Sequence, residues 1–143
     1  MQRTELLEQI SEHFKVIKQA IVTRSNQAGS LPYSQKVVLF MLDKDPGIHV
    51  KTMAAKLFIS PSAVSQIIDA LLQDALITKQ PSQTDRRLAT FSLTDVGRRT
   101  LAQAQAEHIA SLEAICQAIP DADLEHFLRT LQAITQTIQG DVS

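Results

Sequence analysis

The chain has 143 residues, 44% of them hydrophobic, and a formal net charge of −1 at pH 7. This length suits a single domain, and no apolar run reaches the roughly 18 residues of a membrane span. The first residues lack the apolar segment of a secretory signal, so a cytoplasmic protein without membrane contact is expected. The single cysteine excludes an internal disulfide and a multi-cysteine metal site.

The charge is unevenly distributed along the chain. Residues 44–99 carry eight basic and five acidic side chains, whereas the two flanks together carry six basic and ten acidic ones. A basic middle segment between acidic ends is compatible with nucleic-acid binding, but it does not establish it.

Three helices are predicted in the first part of the chain. Residues 4–24 form the first, because apolar residues recur there at spacings of three and four. A polar break at 25–30 separates it from a second helix at 33–43, with Val37, Val38, Phe40, Met41 and Leu42 largely buried. A short third helix follows at 50–58.

The clearest helix start is Ser60-Pro61. Serine is a preferred N-cap, and proline at the first helical position loses no hydrogen bond that the helix needs. The predicted fourth helix runs to about residue 73, with a buried face made of Val64, Ile67, Ile68, Leu71 and Leu72. Its outward face carries Ser62, Ser65, Gln66 and Asp69.

The pattern then changes to strands. Residues 76–80 and 88–93 are short and contain Ile, Thr and Phe, which favours two β-strands. The polar link at 81–87 predicts a β-hairpin, or wing, whose tip carries Asp85, Arg86 and Arg87. The expected fold is therefore mainly α with a small β-hairpin wing, a winged helix-turn-helix flanked by N- and C-terminal helices.

Two more helices complete the chain. Thr94 is the predicted N-cap of a fifth helix that runs to about residue 118, and Asp121 begins a sixth that Gly140 caps. The first, fifth and sixth helices carry apolar stripes longer than a small winged-helix core covers, so a second copy of the chain is the expected partner. The alternative is that these helices bury one another within one chain. The expected dimer residues are Leu6, Ile10, Phe14, Ile17, Leu112, Ile115, Ile119, Leu124, Phe127, Leu128 and Leu131.

This order of elements predicts DNA binding. A helix-turn-helix places its second helix in the major groove, and Ser62, Ser65 and Gln66 suit contacts with base edges there. Taken alone, these three residues are equally consistent with a polar helix face that contacts only water. The wing favours DNA, because arginine suits a narrow, electronegative minor groove and Asp85 can hold Arg87 extended.

At this point the sequence resembles the MarR family of bacterial transcription factors, over essentially the whole chain. Asp85-Arg86-Arg87 followed by Leu93-Thr94-Asp95-Val96-Gly97 is similar to the family's D-x-R wing and its L-T-x-x-G start of the fifth helix. The stretch from Met53 to Ser60 is similar to L-A-x-x-L-x-I-S, and the stretch from Leu31 to Gln35 to L-T-x-x-Q.

The resemblance implies a homodimeric regulator on a palindromic double-stranded operator, usually a repressor released by a small, often aromatic, ligand. Residues 31–95 would be the DNA-binding part, and residues 1–30 and 96–143 the dimerisation helices of one domain. If a ligand exists, the first, second and fifth helices should line its pocket. The DNA-binding residues implied are Ser60, Pro61, Ser62, Ser65, Gln66, Lys79, Asp85, Arg86 and Arg87.

Three positions depart from the family pattern. Ala75 stands where the family commonly has glycine before the first wing strand; because a left-handed non-glycine residue costs roughly 1 kcal/mol, the turn is expected to differ slightly. Lys79 replaces a frequent arginine and loses the planar fork of that side chain. His49 replaces the usual Thr or Ser cap of the third helix.

No catalytic motif is present, so we expect no enzyme, cofactor or metal site. The four histidines do not cluster at ligand spacing in sequence. The competing hypothesis from another functional class is a winged-helix protein-interaction module that never binds DNA.

Overall fold

The computed structural model describes residues 1–29, 31–81 and 88–141. It confirms the expected fold class, because six helices and one antiparallel hairpin make up these ranges. The chain forms two compact units, residues 1–109 and residues 110–143. The elements are α1 Arg3–Gln27, α2 Tyr33–Lys44, α3 Val50–Leu57, α4 Pro61–Gln73, β1 Ile77–Pro81, β2 Ala89–Leu93, α5 Asp95–Ile115 and α6 Asp121–Asp141.

The hydrophobic core lies in the first unit, where α2, α3, α4, the hairpin and the start of α5 meet. Phe40, expected to be largely buried, is 43% exposed, whereas its neighbour Leu39 is completely buried. The reason is the pitch of α2, which turns Val38, Leu39 and Leu42 toward α4 and leaves Phe40 on the flank. The core residues are Leu31, Val38, Leu39, Leu42, Ile48, Met53, Ala54, Val64, Ile68, Leu71, Leu76, Ile77, Phe91, Leu93 and Leu101.

The hairpin is anchored in this core at one end only. Its two strands pair antiparallel, with Ile77 opposite Leu93 and Lys79 opposite Phe91. Ile77, Phe91 and Leu93 are buried, whereas β1 is exposed from Thr78 to Pro81. The hairpin therefore stands on the core and extends into solvent, and its tip at residues 82–87 lies outside the described residues.

The turn from α4 to β1 is hydrogen-bonded to the start of α5. Ala75 has a φ of 56°, so this alanine adopts a left-handed backbone conformation. The hydroxyl of Thr94 donates to the Ala75 carbonyl at 2.7 Å and accepts from the Gly97 amide at 3.0 Å, so Thr94 caps α5 as predicted. The Thr94 amide donates to the Leu76 carbonyl at 3.0 Å.

Glycine is required where α5 crosses this turn. A Cβ built on Gly97 would lie 2.0 Å from the Leu76 carbonyl oxygen, closer than real Cβ contacts allow. The L-T-x-x-G motif thus has a physical basis: the threonine bonds the turn and the glycine lets the two backbones approach.

The second unit contains the end of α5 and the whole of α6. The predictions for both helix ends were wrong by a few residues. Helix α5 ends at Ile115 rather than 118, because Pro120 disfavours helical geometry before it and a tight turn forms between Cys116 and Ile119. Helix α6 continues through Gly140, the predicted cap, because glycine can also adopt ordinary helical dihedrals.

Candidate nucleic-acid interface

The exposed face of α4 carries an uncharged polar row, Ser62, Ser65 and Gln66. These residues recur at spacings of three and four, which places them on one side of the helix. The opposite side holds Val64 and Ile68 in the core. Packing against the core thus fixes the rotation of α4, and the polar row faces outward as predicted.

The start of α4 is also exposed and sharply defined. The Ser60 hydroxyl accepts a hydrogen bond from the Ala63 amide at 3.0 Å, which confirms the predicted N-cap, and Pro61 occupies the first helical position. First-turn amides of a helix lack partners within it, and the helix dipole is positive at this end. A phosphate next to Ser60 and Pro61 would be stabilised by both effects.

The wing adds a positive charge beside α4. Helix α4 packs against β1, and Lys79 on β1 is exposed. The predicted minor-groove residues Asp85, Arg86 and Arg87 lie outside the described residues, and their roles stay predictions.

One exposed residue at this surface did not emerge from the sequence pattern. Phe58 follows the last residue of α3, has a φ of 56° and is 94% exposed. The predicted third helix included Phe58; it ends one residue earlier because Phe58 is its left-handed cap. The sequence feature that could have identified Phe58 is a large apolar residue just before the Ser60-Pro61 helix start, at a position that the apolar faces of α3 and α4 do not include.

The residues expected at the dimer interface are exposed or half-buried. On α1, Leu6, Ile10, Phe14 and Ile17 are 44–46% exposed, and no residue of this helix is buried. In the second unit, Ile115, Ile119, Phe127 and Leu128 are exposed, whereas Leu112, Leu124 and Leu131 are half-buried.

A cleft of about 620 Å³ opens in the first unit between the end of α1, α2 and α5. Lys36 reaches into this region from α2, and its ammonium donates to the backbone carbonyl of Ser25 at 2.7 Å and to its hydroxyl at 3.0 Å. The cleft combines apolar and aromatic walls with this cation and a histidine. Its lining residues are Ser25, Tyr33, Lys36, Val37, Phe40, Leu101, Ala104, Gln105, His108 and Ile109.

Two searches of the described ranges bear on other kinds of site. Among residues 1–29, 31–81 and 88–141, no group of three or more His, Cys, Asp or Glu side chains could hold a metal ion. In the same ranges no single helix is long and apolar enough to cross a membrane. Taken together, α3 and α4 reach that length and composition, but they are bent by 113°.

Comparison with known proteins finds similarity to one family. The model described as "MarR family" matches residues 30–88, from the loop before α2 to the far side of the wing. Over these residues the chain is similar to the MarR family. The curated HTH-type transcriptional repressor MdtR of Bacillus subtilis is 33% identical over 84 residues, 59% of this chain and 54% of MdtR. The chain spans little more than half the length of the curated relatives that it matches.

Solved structures extend the MarR-family fold to nearly the whole chain. The transcriptional repressor CouR, bound to a 23-mer DNA duplex, has a TM-score of 0.73 at 25% identity, over 94% of this chain and 98% of CouR. CouR from Rhodococcus jostii RHA1, bound to p-coumaroyl-CoA, has a TM-score of 0.71 at 24% identity, over 87% of this chain and 90% of CouR. The fold of this chain is therefore that of known MarR-family regulators.

Proposed function

We propose that this chain is a homodimeric, sequence-specific DNA-binding regulator, most simply a repressor that a small ligand releases from its operator. The observation that carries the proposal is the exposed polar row on α4, which begins at a capped helix start and stands beside a basic wing. Residues 31–95 bind DNA in this proposal, and residues 1–30 and 96–143 form the dimer.

In the DNA complex, α4 lies in the major groove. Gln66 can pair with adenine through both atoms of its amide, and Ser62 and Ser65 can each donate or accept at a base edge. Ser60 and Pro61 sit where a backbone phosphate meets the helix start, and Lys79 neutralises a second phosphate. A palindromic site follows from the two-fold symmetry of a dimer.

The wing enters the minor groove in the same proposal. Arg87 supplies the charge that a narrow minor groove attracts, Asp85 braces it, and Arg86 adds a phosphate contact. The support is the sequence motif at 85–87, the antiparallel strands on either side of it, and the match of this segment to the MarR family model.

A mobility-shift assay on the DNA upstream of the gene that encodes the chain tests DNA binding. We expect a salt-dependent complex, because phosphate contacts release counterions. The competing hypothesis, a protein-interaction module, predicts no shift with this fragment or with any genomic fragment. That result would overturn the regulator proposal.

Arg87→Ala tests the wing. We expect a loss of about 1–3 kcal/mol in operator binding, because one minor-groove cation is removed from each subunit. Arg3→Ala, at the exposed start of α1, is the matched control and should leave binding unchanged. Unchanged operator affinity for Arg87→Ala would refute the assignment of the wing.

The dimer proposal rests on uncovered apolar surface in each unit. Helix α1 leaves a full stripe of large apolar side chains about half exposed, and α6 does the same with Phe127 and Leu128. Fully burying an exposed side chain of this kind is worth about 1.5–3 kcal/mol, and each of these, being about half covered already, gains roughly half of that. Summed over the stripes, this gain favours a second copy.

Ile10→Glu tests that interface. A carboxylate in the stripe should convert the dimer to monomer in sedimentation equilibrium, because burying an unpaired charge is expensive. Gln19→Glu adds the same side chain nine residues further along, on the opposite side of α1, and should remain dimeric. A dimeric Ile10→Glu protein would place the interface elsewhere.

Ligand release rests on the cleft between α1, α2 and α5, which is where the sequence led us to expect a pocket. Phe40 and Tyr33 offer aromatic contacts, and the Lys36 ammonium can bind a carboxylate or phosphate in place of Ser25. Because CouR is bound to p-coumaroyl-CoA, this acyl-CoA and free p-coumarate are suitable first probes.

The test is a titration of the preformed DNA complex with each probe. Dissociation by either probe, weakened in Lys36→Met, would support the cleft as the ligand site. A complex that neither probe dissociates would remove the aromatic acyl class from the proposal while leaving DNA binding intact.

A further inference from the structure

Phe58 combines two features that rarely occur together in a folded protein. Its ring is almost fully in solvent, with 94% of the residue exposed. Its backbone is left-handed, with a φ of 56°, a conformation that is disfavoured for bulky L-residues. Most sites of this backbone type use glycine, which adopts it without steric penalty.

The ring is not needed to end α3. The Phe58 amide donates to the Ala55 carbonyl at 3.4 Å, and the Ile59 amide donates to the Ala54 carbonyl at 3.2 Å. Both bonds use only backbone atoms, so a glycine at position 58 would form them equally well. The exposed ring also buries almost none of its own surface in the first unit, so it adds little to the core.

The position of Phe58 points to its partner. It lies in the turn between the two helices of the helix-turn-helix, two residues before the Ser60 N-cap and next to Ile59, which is also exposed. The polar row on α4 begins two residues after that cap. Any duplex that meets the start of α4 therefore comes close to this apolar turn.

We propose that Phe58 is a DNA-contact residue that packs against the apolar surface of the duplex, deoxyribose or thymine methyl, where α4 enters the major groove. This inference rests on the proposed function, since it assumes that α4 meets DNA. Thymine methyl groups line the major groove, and apolar side chains recognise them by contact. The contact buries the ring that the free protein leaves in water.

Phe58→Gly separates this role from a structural one, because the two predict opposite effects. Removing the strained side chain should raise the melting temperature of the protein, whereas losing the contact should weaken operator binding by about tenfold. Ala75→Gly is the matched control: it relieves the same φ of 56° at the other end of α4. It should raise the melting temperature and leave operator affinity unchanged.

The binding assay uses the intact dimer and the DNA fragment upstream of its own gene. If Phe58→Gly binds as tightly as the wild type, the inference is overturned and the proposed function stands. A fall in both melting temperature and affinity also overturns it, because the ring would then be structural. If the wild type itself does not bind, the proposed function fails first.

A DNA duplex in which uracil replaces thymine identifies the surface of the duplex that the Phe58 ring covers. Replacing thymine by uracil in the half-sites removes only the 5-methyl groups. If the wild type loses affinity on this duplex and Phe58→Gly does not, Phe58 contacts a thymine methyl. If the wild type is unaffected while Phe58→Gly still binds weakly, the ring packs on deoxyribose, and the proposal holds with that surface.

Discussion

Gly97→Ala should be among the most damaging single-methyl additions in this chain. The added Cβ would lie 2.0 Å from the Leu76 carbonyl oxygen, about 1 Å inside the 3.0 Å that real Cβ atoms keep. Neither side can yield cheaply, because the Cβ is fixed to the backbone of a helix and the oxygen belongs to the backbone of the buried Leu76. The start of α5 must move away from Leu76, and the cap made by Thr94 moves with it.

The expected loss of stability is about 3 kcal/mol or more. Overpacking of this kind typically costs about 1–3 kcal/mol. The shift also lengthens the 3.0 Å bond from the Thr94 amide to Leu76 and the 2.7 Å bond from its hydroxyl to Ala75, each worth about 1 kcal/mol. Against a total stability of about 5–15 kcal/mol, this loss is large enough to lower the yield of folded protein.

Equilibrium unfolding in urea, followed by circular dichroism at one fixed protein concentration, measures the effect. Gly140→Ala is the matched control, because a Cβ built there meets no atom within 4 Å. In a helix interior this exchange stabilises by about 0.5–1 kcal/mol; at the next-to-last residue of α6 the gain should be smaller, and no loss is expected. A Gly97→Ala protein within about 1 kcal/mol of the wild type would refute the idea that this backbone contact requires glycine.

Two further substitutions should stabilise the protein in the same urea assay. Ala75→Gly should add about 1 kcal/mol, because it removes the left-handed strain at a φ of 56°; a loss would show that the extra flexibility of glycine in the unfolded chain outweighs that strain. His49→Thr should add about 1 kcal/mol, because His49 makes no side-chain capping bond to α3, whereas a threonine hydroxyl can accept one from a first-turn amide. His49→Ala, which supplies no acceptor, should show no such gain.

Sequence-based prediction succeeded where local chemistry decides the structure. Ser60 and Thr94 were both predicted as N-caps, and each hydroxyl accepts the expected amide. These features depend on a few neighbouring residues, so they can be predicted without knowledge of the rest of the fold.

Prediction failed where the outcome depends on distant packing or on competing local options. The pattern of α2 did not show that Leu39 rather than Phe40 enters the core, because the direction of the neighbouring helices decides this. Helix ends were misplaced near Phe58 and Pro120, where several caps compete within a few residues. The wing tip stays a prediction, since residues 82–87 lie outside the described ranges.

Helix α4 is held between two left-handed residues that are not glycine, Phe58 before it and Ala75 after it. At the far end, the backbone carbonyls of Ala75 and Leu76 accept hydrogen bonds from Thr94. The side chain of Ala75 takes no part in these bonds. The turn at Phe58 likewise uses only backbone atoms. Neither turn therefore needs the side chain of its left-handed residue to form its hydrogen bonds. Of the two side chains, only that of Phe58 is a large exposed ring, and it lies beside the start of α4. Because the two sites share a φ of 56°, the relief of strain is common to both glycine variants. Any difference in DNA affinity between them then belongs to the ring of Phe58.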